Sequence, residues 1–507
     1  YRPLLIPLCI CALDPNAPRG ACRAHNSCIT DLMPRYFITL IVAVALFMET
    51  MDSTIIATSL PAIAADLGED PIALKLALTS YLLSLAVFIP ISGWMADRFG
   101  ARTVFRAAIV VFTIGSAACG FATSLADFIL FRVVQGIGGA MMVPVGRLVI
   151  LRSVPKDELI SALAWLTVPA LMGPVIGPPL GGFITTVFSW RWIFWINIPV
   201  GLLGIYLSSR YIENFREENV PPLDVKGFFL SGIGLAGLAF GFTIIGQPLF
   251  PPWFVVTLLT VGAISCASYV RHALQIPAPL LDLRLLKIPT FFANIAGGFL
   301  FRIGVGATPF LLPLYFQLGF GMTPLQSGLL TFAIAVGAVA MKTTAAPILR
   351  RFGYRPVLVW NALIAASFIV ACSLFTAATP QTVILVTLLV GGFFRSLEFT
   401  AINTIAYADI EEHEMSKATS FASVSQQLSM SAGVAVGALV LEFQRLGRDS
   451  NEVVASDFPL AFLIVGAICA SSALVFMRLP KDAGASLSRK AEALGKSDRQ
   501  RDLVPED

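Results

Sequence analysis

The chain has 507 residues, 56% hydrophobic and 13% charged, with a net charge of +4. Soluble globular proteins carry about 25% charged residues, so these charges are too few to cover a water-facing surface of this size, and lipid becomes the main solvent. The small net charge excludes nucleic acid as a partner.

A spanning helix needs about 20 largely apolar residues. Fourteen such runs occur, near 36–60, 73–95, 103–123, 126–150, 159–187, 192–211, 227–246, 252–270, 290–316, 325–347, 356–376, 381–406, 417–442 and 458–478. They are longer than barrel strands and lack the alternation of strands. The reading is an all-α polytopic membrane protein. Residues 1–32 fit no span. They start at Tyr1 and hold Cys9, Cys11, Cys22, Cys28 and His25. Their spacing matches no familiar zinc pattern, and the apolar stretch Leu4–Leu13 is too weak for a signal peptide. The segment reads as a mis-assigned start, with Met33 the natural first residue. Cys119, Cys266, Cys372 and Cys469 lie singly in the runs and read as small apolar residues.

Lys and Arg set the orientation. One side holds 23 of them, including Arg98, Arg102, Arg152, Arg351 and the tail from Arg478. The other holds four: Lys75, Arg191, Arg445 and Arg448. Both termini are therefore expected in the cytoplasm.

In the first run, Glu49 and Asp52 are three apart on one face. After the second run comes Gly93-Trp94-Met95-Ala96-Asp97-Arg98-Phe99-Gly100-Ala101-Arg102. Its Asp97 and arginines are expected to pair and hold one cytoplasmic arrangement shut; the plain alternative is a solvated basic loop. The fourth run carries Arg132 and Gln135 on one face, followed by Gly136, Gly138 and Gly139. Ionisable groups inside a bilayer are functional candidates by default. Arg132 falls at the depth of Glu49 and Asp52, and a pairing would lower the cost of all three charges. A carboxylate beside a movable cation is a group whose proton occupancy follows conformation. A purely structural ion pair is the competing reading.

The fifth run holds Gly173, Pro174, Gly177, Pro178, Gly181 and Gly182. Its glycines form a small-xxx-small face and its prolines bend the helix, as a hinge or as simple packing. Trp190, Trp192 and Trp195 read as an interfacial aromatic belt. In the later runs, Arg302 falls mid-span, and Arg395 and Glu398 share a face, where the carboxylate neutralises the cation. Lys342 and Arg147 read as snorkelling anchors.

Arg98-Phe99-Gly100 returns as Arg351-Phe352-Gly353, 253 residues later and eight runs further on. Two six-helix halves would then flank an inserted pair. The expected division is 1–32 tail, 33–215 first bundle, 216–288 linker with two extra helices, 289–480 second bundle, and 481–507 cytoplasmic tail. Internal repeats of this kind mark secondary transporters. No GxxxxGK[ST] loop is present, so an ion gradient is the expected energy source, with no cofactor and no metal. A sensor would need a folded soluble domain, and an enzyme a catalytic constellation; neither is found.

These segments together resemble the major facilitator superfamily over about 36–480. Gly93–Arg102 looks like its loop signature, with Ala101 in place of a basic residue. The second copy is degraded, with Ala346 and Arg350 where Gly and Asp would stand. Arg132–Gly139 is similar to the motif linked to proton coupling, and Gly173–Gly182 to the antiporter motif. Met51-Asp52-Ser53-Thr54 through Pro61 is similar to the span-1 signature of the 14-span drug:proton antiporters of EmrB/QacA type, with Ala57 in place of a common Asn. Gly139–Leu148 looks closest to the MdtD-like branch. The resemblance implies alternating access in a bacterial cytoplasmic membrane, with protons entering as small organic molecules leave. It leaves open drugs or one metabolite, such as a sugar or siderophore, and specifies no periplasmic adaptor. Asp52, Glu49 and Arg132 become the proton-coupling candidates; Gly93, Asp97, Arg98, Gly100, Arg102, Gly173, Pro174, Gly177, Pro178, Gly181 and Gly182 the gating set; Gln135, Arg302, Arg395 and Glu398 the secondary candidates.

Overall fold

The computed structural model describes residues 38–481, 483 and 484, apart from 155–158, 218–219, 221, 248–249, 412–413 and 449–451. For 159–171 it describes the backbone only. The 1–32 tail and most of the 481–507 tail lie outside the described residues.

Thirteen described helices are long and apolar enough to cross a membrane. They are α1 (Ile38–Leu67), α2 (Lys75–Phe99), α3 (Ala101–Gly120), α4 (Leu125–Ser153), α6 (Trp192–Tyr211), α7 (Val225–Thr243), α8 (Pro252–Gln275), α9 (Pro289–Gly319), α10 (Pro324–Lys342), α11 (Tyr354–Leu374), α12 (Gln381–Ile405), α13 (Met415–Leu446) and α14 (Ala455–Phe476). Between α4 and α6 lies α5 (Leu159–Val187), 29 residues long and without an Asp, Glu, Lys or Arg. Among the described residues the protein is thus an all-α membrane protein, and these fourteen helices match the fourteen apolar runs.

Local chemistry sets several ends. Ser124 caps α4 by accepting from the Asp127 amide at 3.1 Å, and Asp224 caps α7 through the Gly227 amide at 2.8 Å. Thr323 and Gln326 form a capping box at the start of α10. The repeat is visible in the turns. Gly100 after α2 has φ 93° and Gly353 before α11 has φ 78°, a region that glycine enters at little cost.

Packing repeats as well. In the first half α3 and α2 pack on α4, α5 on α1, and α6 on α3; in the second half α11 and α10 pack on α12, α13 on α9, and α14 on α11. The halves meet along two seams, α2 with α13 and α5 with α10. The inserted α7 lies against α2 and α13, and α8 against α7, where it is the least buried of the thirteen spans.

The core is unequal along the membrane normal. At the far end, where α1 stops and α14 starts, one apolar cluster runs through both halves, from Ile55, Leu60 and Leu76 to Phe310, Tyr315, Leu441 and Phe462. At the near end it divides. Ile41, Phe105 and Val149 belong to a cluster of the first half, and Phe301, Leu358 and Phe476 to a separate cluster of the second.

Candidate functional site

The middle of the first half holds a closed polar network inside an apolar bundle. Asp52 of α1 and Arg132 of α4 are fully buried and meet at 2.7 Å, Nη1 to Oδ2. The same Nη1 donates to Gln135 Oε1 at 2.7 Å, and Gln135 Nε2 donates to Asp52 Oδ1 at 2.9 Å. Arg132 and Gln135 therefore grip both oxygens of the carboxylate from one helix face. Asn197 of α6 donates to Asp52 Oδ1 at 3.1 Å and to Ser116 Oγ of α3 at 3.0 Å, and Ser116 donates to the Phe194 carbonyl at 2.9 Å. The guanidinium also lies 4.1 Å from the Tyr81 ring centre. Five helices thus converge on one buried carboxylate–guanidinium pair. Arg132 Nη2 is buried without a partner.

Glu49 takes a different partner from the one expected. It accepts from Tyr81 Oη at 3.1 Å and does not touch Arg132. The expected three-charge cluster is therefore one ion pair with a second carboxylate one turn away, joined to it through the tyrosine. The guanidinium places its Nη1 on Asp52 and its face on Tyr81, which leaves Glu49 to the phenol.

Glycines permit the approach of α5 to α1. A Cβ on Gly173 would stand 2.3 Å from Thr50 Oγ1, on Gly177 2.3 Å from Thr54 Oγ1, and on Gly181 2.3 Å from the Ile55 carbonyl oxygen. Gly182 faces the other way, where its Cβ would meet the Pro324 carbonyl oxygen of α10 at 2.4 Å. The helix carrying Asp52 is thereby fixed against α5, and α5 against the second half. Pro178 contributes its carbonyl to Thr58 at 3.4 Å, and Pro174 is exposed.

The Gly93–Arg102 loop departs from expectation. Asp97 pairs with Arg152 at the end of α4, at 2.9 Å, not with the loop's own arginines, and Arg152 also reaches Glu217 at 2.9 Å. Arg102 donates to the Ile212 carbonyl at 3.4 Å, and Gly100 lies against Asn214. Arg98 is exposed, and Gly93 has open space where a Cβ would be. All these partners belong to the first half or to the start of the linker that follows it, so in this conformation the loop does not tie the halves together.

The ties lie at the far end. Lys75, counted above among the four charges on the side opposite the termini, is the first residue of α2 and is buried; its Nζ meets Glu442 Oε2 of α13 at 3.0 Å. Gln247, from the connection between α7 and α8, donates to the other Glu442 oxygen, and Arg445 pairs with Asp70. Gln317 of α9 donates to the Thr58 carbonyl at 2.9 Å, and the Leu325 amide to Thr186 Oγ1 at 3.2 Å. Trp190 is buried on Asp66, 3.1 Å from Nε1 to Oδ2, with Arg191 on the same carboxylate, so the tryptophan cluster is in part a helix tie rather than a belt.

In the second half, Glu398 accepts from Asn361 Nδ2 at 2.8 Å and forms no ion pair with Arg395, contrary to the neutralisation expected. The two project to different neighbours, Glu398 to α11 and Arg395 into an apolar pocket with Phe301, Phe368 and Phe462. Arg302 is fully buried on Asn403 of α12, and Lys342 reaches Thr400 of α12. Sequence reasoning passed over Ser116, Asn197, Tyr81 and the Lys75–Glu442 pair. Asn197 carried a signal, a lone amide inside the apolar run 192–211.

Two repeated six-helix halves, closed on each other at one end and with a buried carboxylate–guanidinium pair in the middle of the first, define a polytopic helical membrane carrier. The chain belongs to the Major Facilitator Superfamily, whose family model matches residues 42–293 and 295–504. It is 38% identical over 446 residues to a Salmonella heidelberg protein named "Putative multidrug resistance protein MdtD", covering 87% of this chain and 94% of that one. A Yersinia pestis protein of the same name is 38% identical over 458 residues, covering 88% and 96%. Among solved structures, a D-xylose-proton symporter superposes with TM-score 0.64 at 16% identity, covering 89% of this chain and 99% of that one. A bacterial homologue of the human lysosomal transporter Spinster, inward-facing and unoccupied, gives 0.62 at 16% identity, covering 89% and 97%.

Proposed function

We propose that the chain is a proton-coupled antiporter that exports drugs or other small organic molecules across a bacterial cytoplasmic membrane by alternating access. The observation that carries this reading is the asymmetric closure. The halves share one core and all their named polar ties at the far end, while at the near end their main cores are separate and meet, among the described residues, through a small cluster beside the inserted pair that includes Ala86 and Val424. With both termini in the cytoplasm, as the distribution of Lys and Arg supports, this is an inward-facing state. The relatives' name supports an organic, drug-like cargo.

Asp52 is the proton carrier in this scheme. Arg132, Gln135 and Asn197 hold its two oxygens in the present state. Opening at the outer end must move α5 and α1, which their glycine contacts couple, and so must alter the Asp52–Arg132 contact. A change in that separation changes the proton occupancy of the carboxylate. Efflux of a panel of dyes and drugs from cells lacking their own pumps, with and without a proton uncoupler, tests the reading. Uncoupler-sensitive efflux of panel members is expected. Efflux that persists when the gradient is collapsed would reject proton coupling, and no efflux of any compound would reject a drug exporter.

A further inference from the structure

The halves treat their intramembrane cations differently. In the first, Arg132 is answered by Asp52. In the second, Arg302 is fully buried without an acidic partner: Nη2 donates to Asn403 Oδ1 at 2.9 Å, Nη1 to the Asn294 carbonyl at 3.4 Å, and Nε to nothing. Lys342, on α10, donates to Thr400 Oγ1 at 2.8 Å and also meets no carboxylate. Thr400 and Asn403 stand about 4.5 Å apart along one face of α12, so both cations attach to the same helix within one turn. The spans α9, α10 and α12 hold Arg302, Lys342 and Arg395 against a single carboxylate, Glu398, which accepts from Asn361 through one oxygen and pairs with none of the three cations. Arg302 also occupies the repeat position of Glu49, 253 residues on. One half therefore presents an acid where the other presents a cation.

A buried guanidinium held only by neutral groups is costly in a membrane, and its unpartnered Nε edge matches a carboxylate, which pairs with two adjacent N–H groups. We propose that Arg302 and Lys342, held on Asn403 and Thr400, form an anion-binding subsite of the transport pathway, and that the cargo class includes small organic carboxylates. The proposal rests on the transporter reading and narrows its substrate.

The test follows the melting temperature of the purified full chain while 2-naphthoate, 2-naphthylmethylammonium, inorganic phosphate or phosphatidylglycerol is titrated at constant ionic strength. A saturable rise with naphthoate alone is expected. Arg302→Gln and Lys342→Gln should each weaken the apparent naphthoate affinity about tenfold, or 1.4 kcal/mol, without displacing the unliganded melt. Should Arg302→Gln fail to fold, Lys342→Gln, at an exposed position, carries the test. No response to naphthoate, an equal response to the ammonium, a response to phosphate or the phospholipid instead, or wild-type affinity in the variants overturns the proposal. Because the assay needs no gradient, naphthoate binding without proton-driven efflux keeps this subsite and rejects the antiporter, and the converse result does the reverse.

Discussion

Lys75→Met should open the far end. The Lys75–Glu442 pair bridges the halves with side chains 1% and 4% exposed, so solvent screening offers little discount. Removing one partner of a buried pair costs about 3–5 kcal/mol, because the other charge is left uncompensated. Gln247 still serves Glu442 in the variant, which favours the lower figure. In the outward-open state Glu442 is hydrated and the penalty vanishes, so the whole cost falls on the closed state. About 3 kcal/mol corresponds to a shift of roughly 150-fold in the closed-to-open ratio. Ala438, one turn before Glu442 and fully buried, is a suitable reporter. With Ala438→Cys in a cysteine-free background, the rate of labelling by an impermeant maleimide should rise about a hundredfold on Lys75→Met. Adding Glu442→Leu should return it to within a few-fold of the parent, since an apolar pair of similar size is close to neutral. An unchanged rate in Lys75→Met, or a double variant labelling as fast as the single, would refute the latch.

Gly181→Leu should abolish efflux while the protein still reaches the membrane, because its Cβ alone would stand 2.3 Å from a backbone oxygen of α1; wild-type efflux would show that α5 can leave that contact at no cost. Asn197→Ala removes the donor linking Asp52 to Ser116 and should lower stability by about 1–3 kcal/mol, the cost of a lost partner for a buried polar group, read as a drop in the melting temperature. Gly100→Ala should destabilise the protein by about 1–3 kcal/mol through its φ of 93° alone, with the Asn214 clash added, whereas Gly93→Ala, which meets open space, should leave the melt unchanged.

The fourteen spans were legible because lipid demands long apolar helices, and the repeat was legible because a glycine at positive φ follows Arg-Phe in both halves. The Asp52–Arg132 meeting was legible from depth alone, since few residues can satisfy a charge in that environment. The partners of Asp97 and Glu49 were not. Each lies beside several groups of suitable chemistry, and the choice of Arg152 over Arg98, or of Tyr81 over Arg132, is settled by side-chain direction, which spacing does not carry. Lys75 was hidden for a related reason. A lysine at a helix start reads as a loop charge, and only the pairing of α2 with α13, 367 residues apart in sequence, buries it.

The central claim is that Asp52 carries the coupled proton. Proton release on adding a transported substrate to reconstituted liposomes measures it directly, with Asp52→Asn beside the parent. The account predicts release by the parent and none by Asp52→Asn, which loses gradient-driven efflux but keeps downhill exchange. Unchanged proton release per substrate in Asp52→Asn would contradict it, and would take the buried pair with Arg132 out of the coupling mechanism.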